Sequence, residues 1–170
     1  MAVWMPMQAC DIDQVMHLSE AVHPELPECR ATQVQRLTVF PKGCLVLKEG
    51  EHIYGYAFAH PIHNGTPPAL NTAPQHIAPD AQQLYIHDFV VSPHMRGGGY
   101  ATKGIRTLLA LSHPFATTAL ISVYRTADFW AKFGFTPSPS VPAEQLTSYG
   151  PGAVFMVRPT PLFTLEDGPK

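Results

Sequence analysis

The sequence predicts an α/β domain (α+β in its order of elements) with a mixed sheet in place of a regular βαβ repeat. Three observations carry this reading. "CLVLKEGEHIYGYAFAHP" holds two strand-like runs around a tight Glu49-Gly50-Glu51 turn, a hairpin signal. "LYIHDFVVS", Leu84 to Ser92, is dense in β-branched and aromatic residues and is the strongest strand pattern in the chain. Directly after it, Ala101, Ile105, Leu108 and Leu109 recur at i, i+4, i+7 and i+8, which gives one apolar face to a helix from about 100 to 111.

The remaining elements follow in order. Residues 2–7, "AVWMPM", suit an edge strand, because Pro6 has no N–H to give a central ladder. Asp11 or Asp13 can cap a helix carrying Val15, Met16, Leu18 and Val22 on one side and ending before Pro24. A shorter helix covers 31–39, then comes the hairpin. Beyond the 100–111 helix, "TALISVY" reads as a strand, "ADFWAKF" as a short helix ended by Gly134, and "AVFMVR" as a last strand. The order is therefore β-α-α-β-β-β-α-β-α-β.

Composition bounds the function. A chain of 170 residues suits one domain, expected to span 1–170, and is too short for two ordinary ones. The formal charge of −2, from 11 Lys+Arg against 13 Asp+Glu, gives no basic field for nucleic acid. No run approaches the ~20 apolar residues of a membrane span, and the N-terminus does not resemble a secretory signal, so a cytoplasmic location is expected. Cys10, Cys29 and Cys44 have no C-x-x-C spacing and are expected as reduced thiols, mostly in packing. The histidines show no metal-ligand spacing, so no metal is expected. The 18 prolines concentrate in His60–Gln83 and in "TPSPSVP" from Thr136, both read as long excursions from one core.

The glycines of "HMRGGGYATK" point to chemistry. A strand, a glycine-rich turn and a helix N-terminus make an anion site, because first-turn N–H groups are unpaired, the helix dipole is positive there, and bare backbone admits a phosphate. Two familiar phosphate loops fail on spacing: there is no terminal Gly-Lys-Ser/Thr, and adjacent glycines do not fit G-x-G-x-x-G. Arg96, Gly99 and Ala101 do fit R-x-x-G-x-A, the pyrophosphate loop of acyl-CoA-dependent N-acetyltransferases.

On those residues the chain resembles the GNAT superfamily. "LYIHDFVVSPHMRGGGYATKGIRTLL" is similar to that family's central strand, loop and helix, and "FWAKFGF" resembles its F-Y-x-K-x-G-F signature. The resemblance implies a mostly antiparallel central sheet flanked by helices and splayed around the pantetheine of an acyl-CoA. It implies acetyl-CoA as cosubstrate, with backbone groups of Phe89, Val90 and Val91 meeting pantetheine and the oxyanion. The amides from Arg96 through Gly97, Gly98, Gly99 and Tyr100 to Ala101 would hold the pyrophosphate, and Thr102 would add a hydroxyl. The family often places a tyrosine, the general acid for the departing thiolate, where this chain has Trp130; Tyr124 or a water can substitute.

In this reaction an amine attacks the thioester directly, so the protein must orient two substrates, take a proton and stabilise an oxyanion. The expected base is His87, acting directly or through water, since imidazole with a pKa near 6.5 is neutral at pH 7–8. The arylalkylamine and diamine N-acetyltransferases, which the strand resembles, carry a histidine or glutamate there and, in the diamine enzymes, an acidic residue at the Asp88 position. Asp88 is expected to position the site. Strand alternation sends Tyr85 and His87 to one face and Leu84, Ile86 and Asp88 to the other, unless a bulge intervenes near Phe89. The expected acceptor is a small primary amine covered by the proline-rich 62–82 segment, the protein being a monomer or homodimer. The alternatives are a non-catalytic acyl-CoA-binding module and acetylation of a protein or peptide amine.

Overall fold

The structure, a computed structural model, describes residues 1–162; the last eight positions of the expected 1–170 domain lie outside the described residues. A seven-stranded sheet runs in the order β1-β2-β3-β4-β5-β7-β6. Strand β1, Val3–Pro6, forms one edge, where Pro6 costs no ladder bond. Helices α1, Ile12–Val22, and α2, Arg30–Val39, follow. The hairpin is β2, Cys44–Glu49, and β3, His52–Ile62, turned by Gly50 at φ 60. Strand β4, Gln83–Val91, pairs antiparallel with β3 and parallel with β5, Thr117–Ser122, through the crossover helix α3, Tyr100–Leu109. Helix α4 is Ala127–Ala131, and β7, Val154–Pro159, returns antiparallel to β5.

The helical segments end earlier than their apolar patterns suggest: 110–112 tightens into a 3₁₀ turn, and α4 stops at Ala131 ahead of Gly134 at φ 87. Besides short 3₁₀ turns at Ala9–Asp11, Pro41–Gly43 and Pro93–Met95, two elements beyond α4 were not anticipated. The proline-rich 136–142 stretch opens with a two-residue edge strand, β6 (Thr136–Pro137), and a 3₁₀ segment, Ala143–Tyr149, follows it. Neither carries hydrophobic periodicity, so the sequence gives no signal for them.

Two features of β4 create the site. First, its bonds to β5 stop at Ile86↔Leu120; beyond that point Asp88–Val91 keeps partners only in β3, while Ile121 and Ser122 pair with β7. The two central strands therefore diverge into a wedge with unpaired backbone on one side. Second, Ala59 pairs with Ile86 and Phe58 with Asp88, leaving His87 as an extra residue. This bulge shifts the side-chain alternation. Leu84, Ile86 and Phe89 pack toward α3 with Ile105 and Leu108, whereas Val90 joins Ile12, Val15 and Tyr56 on the α1 side. Asp88, expected beside Leu84 and Ile86, is carried to the Tyr56 face, where it meets His87's surroundings.

Helix α3 is fixed from outside by Trp4 of the edge strand. Its indole N–H donates to the Tyr100 carbonyl at 2.8 Å, and its ring lies so close to Gly104 that any Cβ there would come within 2.5 Å of it. The cysteines depart from expectation: Cys44 is buried, its thiol pushed up to about 12 by burial, but Cys10 and Cys29 are exposed.

Candidate active site

The glycine loop and α3 form the first half of the site. Gly97 and Gly99 have φ of 84 and 74, a left-handed backbone that costs other L-residues roughly 1–2 kcal/mol, and a Cβ at either would meet nothing within 4 Å. Open space and bare backbone thus face outward together. The first intrahelical bond of α3 runs from the Lys103 N–H to the Gly99 carbonyl, so the N–H groups of Tyr100, Ala101 and Thr102 have no intrahelical acceptor. The Arg96 amide does not belong to this set. It closes a turn onto the Pro93 carbonyl at 3.3 Å, so among the described residues the series of unpaired amides begins at Gly97.

Together with Phe89 and Val91 of β4 and Thr126 and Phe129 beyond β5, the loop lines a cleft of about 550 Å³. Of the expected cofactor residues, Phe89, Val91, Arg96, Gly97, Gly99, Tyr100, Ala101 and Thr102 line it. Gly98 does not; a Cβ there would strike the Tyr100 ring at 2.6 Å, so glycine at this position serves the turn itself. Val90 does not line it either: its side chain enters the α1-side core and its backbone faces Tyr56 of β3, because the Ser92 N–H bond to the Tyr54 carbonyl sets every second residue of β4 toward β3. The unpaired amides, the helix N-terminus and the open wedge suit a pyrophosphate with an extended pantetheine arm.

A second cavity of about 140 Å³ adjoins this cleft, sharing Phe89, Thr126 and Phe129 with it. His87, Asp88 and Tyr124 all line it. Its floor is apolar, with Ile86, Leu120 and Trp130, and Leu70 of the proline-rich segment lies on its wall. Trp130 is both 8% exposed core and cavity lining.

Two carboxylate–imidazole pairs stand in this cavity. In the first, Glu28, between α1 and α2, receives His87 Nε2 at 2.9 Å on Oε1. It also takes a two-pronged bond from Arg36 of α2, Nη1 at 2.9 Å and Nη2 at 2.5 Å. The side chains of His87, Glu28 and Arg36 are 1%, 4% and 1% exposed. Burial works against the Glu28 charge, but the bonds from His87 and Arg36 and the Arg36 charge outweigh it and hold the carboxyl far below its ordinary range. An ionised carboxylate only accepts, so His87 presents Nε2–H to Glu28 and its Nδ1 is the bare lone pair. That Nδ1 has no partner among the described residues. Burial, helped by the Arg36 charge, lowers the His87 pKa below 6.5 despite Glu28, so the ring is neutral near pH 7.

In the second pair, Asp88 accepts His23 Nε2 at 3.1 Å and the Tyr56 hydroxyl at 2.6 Å. Burial opposes its charge, yet the His23 and Tyr56 bonds keep its pKa lowered. For His23, burial pulls down but the Asp88 bond and charge prevail, and the pKa is raised. The ring of Tyr124 stacks on His23 with centroids 5.6 Å apart. It gets there through a tight turn in which Tyr124 and Arg125 both take positive φ, 54 and 59, a conformation costly for non-glycine residues and held by Thr126 bonding back to the Val123 carbonyl.

His23, Glu28, Arg36, Tyr56 and Tyr149 were not anticipated as site residues. Each lies far from 84–103 in sequence, on elements whose local pattern reads only as helix, hairpin or loop, and no spacing rule connects them. Among the described residues no cluster of His, Cys, Asp or Glu has the makings of a metal site, and no helix is long and apolar enough to cross a membrane.

The sequence of residues 12–135 matches the acetyltransferase (GNAT) family. The chain belongs to that family. It is an acyltransferase built on the GNAT fold. Solved GNAT structures agree in fold. The GphF GNAT-like decarboxylase in complex with isobutyryl-CoA aligns with a TM-score of 0.76 at 16% identity, covering 94% of this chain and 100% of that one. N-acetylglutamate synthase from Neisseria gonorrhoeae, with coenzyme A and N-acetyl-glutamate, gives 0.72 at 15%, over 95% and 36% of the two chains. Arabidopsis thaliana Naa50, with a bisubstrate analogue CoA-Ac-MVNAL, gives 0.66 at 13%, over 92% and 96%. Among curated proteins, no sequence matches the chain significantly. The three GNAT neighbours differ in what they act on, so the shared fold leaves the acceptor open.

Proposed function

We propose that this GNAT enzyme transfers an acetyl group from acetyl-CoA to the primary amine of a small molecule, by direct attack within a ternary complex. The observation that carries the reading is the His87 imidazole, oriented by Glu28, whose Nδ1 has no partner among the described residues and whose ring lines a small cavity adjoining the cofactor cleft.

In this mechanism His87 Nδ1 removes the proton from the attacking nitrogen, directly or through one water. Glu28 fixes the tautomer and steadies the imidazolium that forms. The backbone N–H groups of Phe89 and Val91, on the open side of β4, face the developing oxyanion. The Tyr124 hydroxyl returns a proton to the departing thiolate. Asp88, already accepting from Tyr56 and His23, holds His23 in place and takes no proton itself. The amides of Gly97–Ala101 and the Thr102 hydroxyl bind the pyrophosphate.

A small acceptor is favoured by the cavity's size and by its walls: Leu70 and Tyr149 line it, and Tyr149 is itself tied to the proline-rich segment by a 2.7 Å bond to the Pro68 carbonyl. A peptide would need an open groove at this point. The test is thioester consumption against a panel of small primary amines and short peptides. CoA release with small amines and not with peptides is expected. Preference for peptides moves the acceptor class, and binding of acetyl-CoA without consumption by any amine makes the protein a non-catalytic acyl-CoA-binding module.

A further inference from the structure

The Glu28 carboxylate has one more partner, and it comes from the proline-rich segment. The backbone N–H of Asn71 donates to Oε2 at 2.8 Å. Oε1 carries Arg36 Nη1 and His87 Nε2, and Oε2 carries Arg36 Nη2 and Asn71, so all four acceptor positions are filled. The two residues flanking Asn71 touch the same assembly. Leu70 lines the acceptor cavity, and the Thr72 carbonyl accepts Arg36 Nη2 at 3.0 Å.

Asn71 is built to stay there. It adopts φ 59, a region asparagine tolerates better than other non-glycine residues. Its side-chain oxygen accepts the Cys29 N–H at the start of α2 at 2.7 Å and the Thr32 hydroxyl at 3.0 Å. These two bonds set the backbone so that its N–H points at Glu28.

We propose that Asn71 is a positioning residue for the base: by filling the last acceptor position of Glu28 it holds the carboxylate square to His87, so the segment that walls the acceptor cavity also orients the group that deprotonates the acceptor. This rests on the reading of His87 as the base. Without the Asn71 bond the carboxylate is free to turn about its two-pronged bond to Arg36, and His87 loses a fixed acceptor for Nε2–H. The tautomer with Nδ1 bare is then no longer enforced. The charged and titratable groups facing His87 are Glu28, Arg36, Asp88, His60, Tyr85 and Tyr149; none of them offers Nε2 a second acceptor.

The test compares wild type with Asn71→Ala and Asn71→Asp in the full chain. Nitrogen resonances of isotope-labelled histidine give the His87 tautomer in the ligand-free protein, and steady-state kinetics follow with the best amine of the panel. Wild type should show a single Nε2–H form. Asn71→Ala should show a mixture of tautomers, with kcat at pH 7 lower by about tenfold and the KM for acetyl-CoA unchanged. Asn71→Asp keeps the acceptor for Cys29 and tolerates the left-handed backbone, so it should stay within about twofold of wild type. If Asn71→Ala is unstable, Asn71→Gly removes the same side chain without backbone strain. A pure Nε2–H tautomer and unchanged kcat in the truncated variant would overturn the inference, as would equal losses in the Ala and Asp variants. Because the tautomer is read without substrate, its shift in Asn71→Ala supports the coupling even if wild type fails the amine panel; wild-type turnover with no shift removes the coupling and leaves the function standing.

Discussion

The cofactor cleft and the acceptor cavity adjoin through Phe89, Thr126 and Phe129, yet they are made in opposite ways. The cleft is largely backbone from one continuous stretch, the end of β4, the glycine loop and the first turn of α3. What it offers a ligand is unpaired N–H groups and empty space, and side chains matter there mainly by being absent. The cavity is made of side chains brought from the α1–α2 connection, the proline-rich segment, β4, β5, the turn after it, α4 and the 3₁₀ segment ending at Tyr149, with Arg36 of α2 and Tyr56 of β3 bonded behind them. What it offers is two paired carboxylates and two imidazoles, each fixed by groups distant in sequence. A common ligand handle needs only a local backbone solution, whereas a particular acceptor and a tuned base require the whole fold.

That contrast predicts where damage spreads. The largest effect is expected at Arg36. Arg36→Met leaves the Glu28 carboxylate buried with half of its partners gone, and removing one member of a buried ion pair costs about 3–5 kcal/mol. Urea denaturation should show a loss of that order. The cleft draws nothing from Arg36, so the protein that remains folded should bind acetyl-CoA normally by calorimetry. Weakened acetyl-CoA binding together with intact stability would mean that the two regions are not separate.

The converse variant is Gly99→Asp. A side chain at φ 74 strains the loop, and a carboxylate at the positive end of α3 repels a pyrophosphate. CoA affinity should fall by roughly 30-fold or more, about 2 kcal/mol, while the His87 resonances stay where they are. Unchanged CoA affinity in a folded Gly99→Asp protein would remove the basis for placing the cofactor at this loop.

The same contrast explains what the sequence made legible. The strand, the three glycines and the helix that follow one another from Leu84 to Leu109 are local, so periodicity and turn chemistry locate them, and the hairpin at Gly50 and the edge strand at Pro6 are legible for the same reason. The face of Asp88 was not. A one-residue bulge at His87 inverts alternation, and nothing in "IHDF" marks it, because it depends on how β3 registers against β4. Glu28 and Arg36 were invisible for a different reason. Glu28 lies in a proline-flanked connection and Arg36 on a helix whose mean pattern is polar, and such residues read as solvated until the fold shows them buried. The occupied Arg96 amide likewise needs the 3₁₀ turn at Pro93 to be seen.

The assignment of the base is the claim on which the cavity's chemistry depends, and the two imidazoles have pKa values displaced in opposite directions. Burial and Arg36 lower His87 below 6.5, while Asp88 overcomes burial to raise His23 above it. A base is active when deprotonated, so activity falls as pH drops through its pKa. The deciding measurement is the acidic limb of kcat/KM for the acceptor amine, in wild type and in His87→Ala. The account predicts an inflection below pH 6.5 in wild type that disappears in His87→Ala, with kcat at pH 7 lower by about 10²-fold and partly recovered at high pH where the amine loses its own proton. An inflection above pH 6.5 that persists in His87→Ala would contradict it and transfer the role to His23.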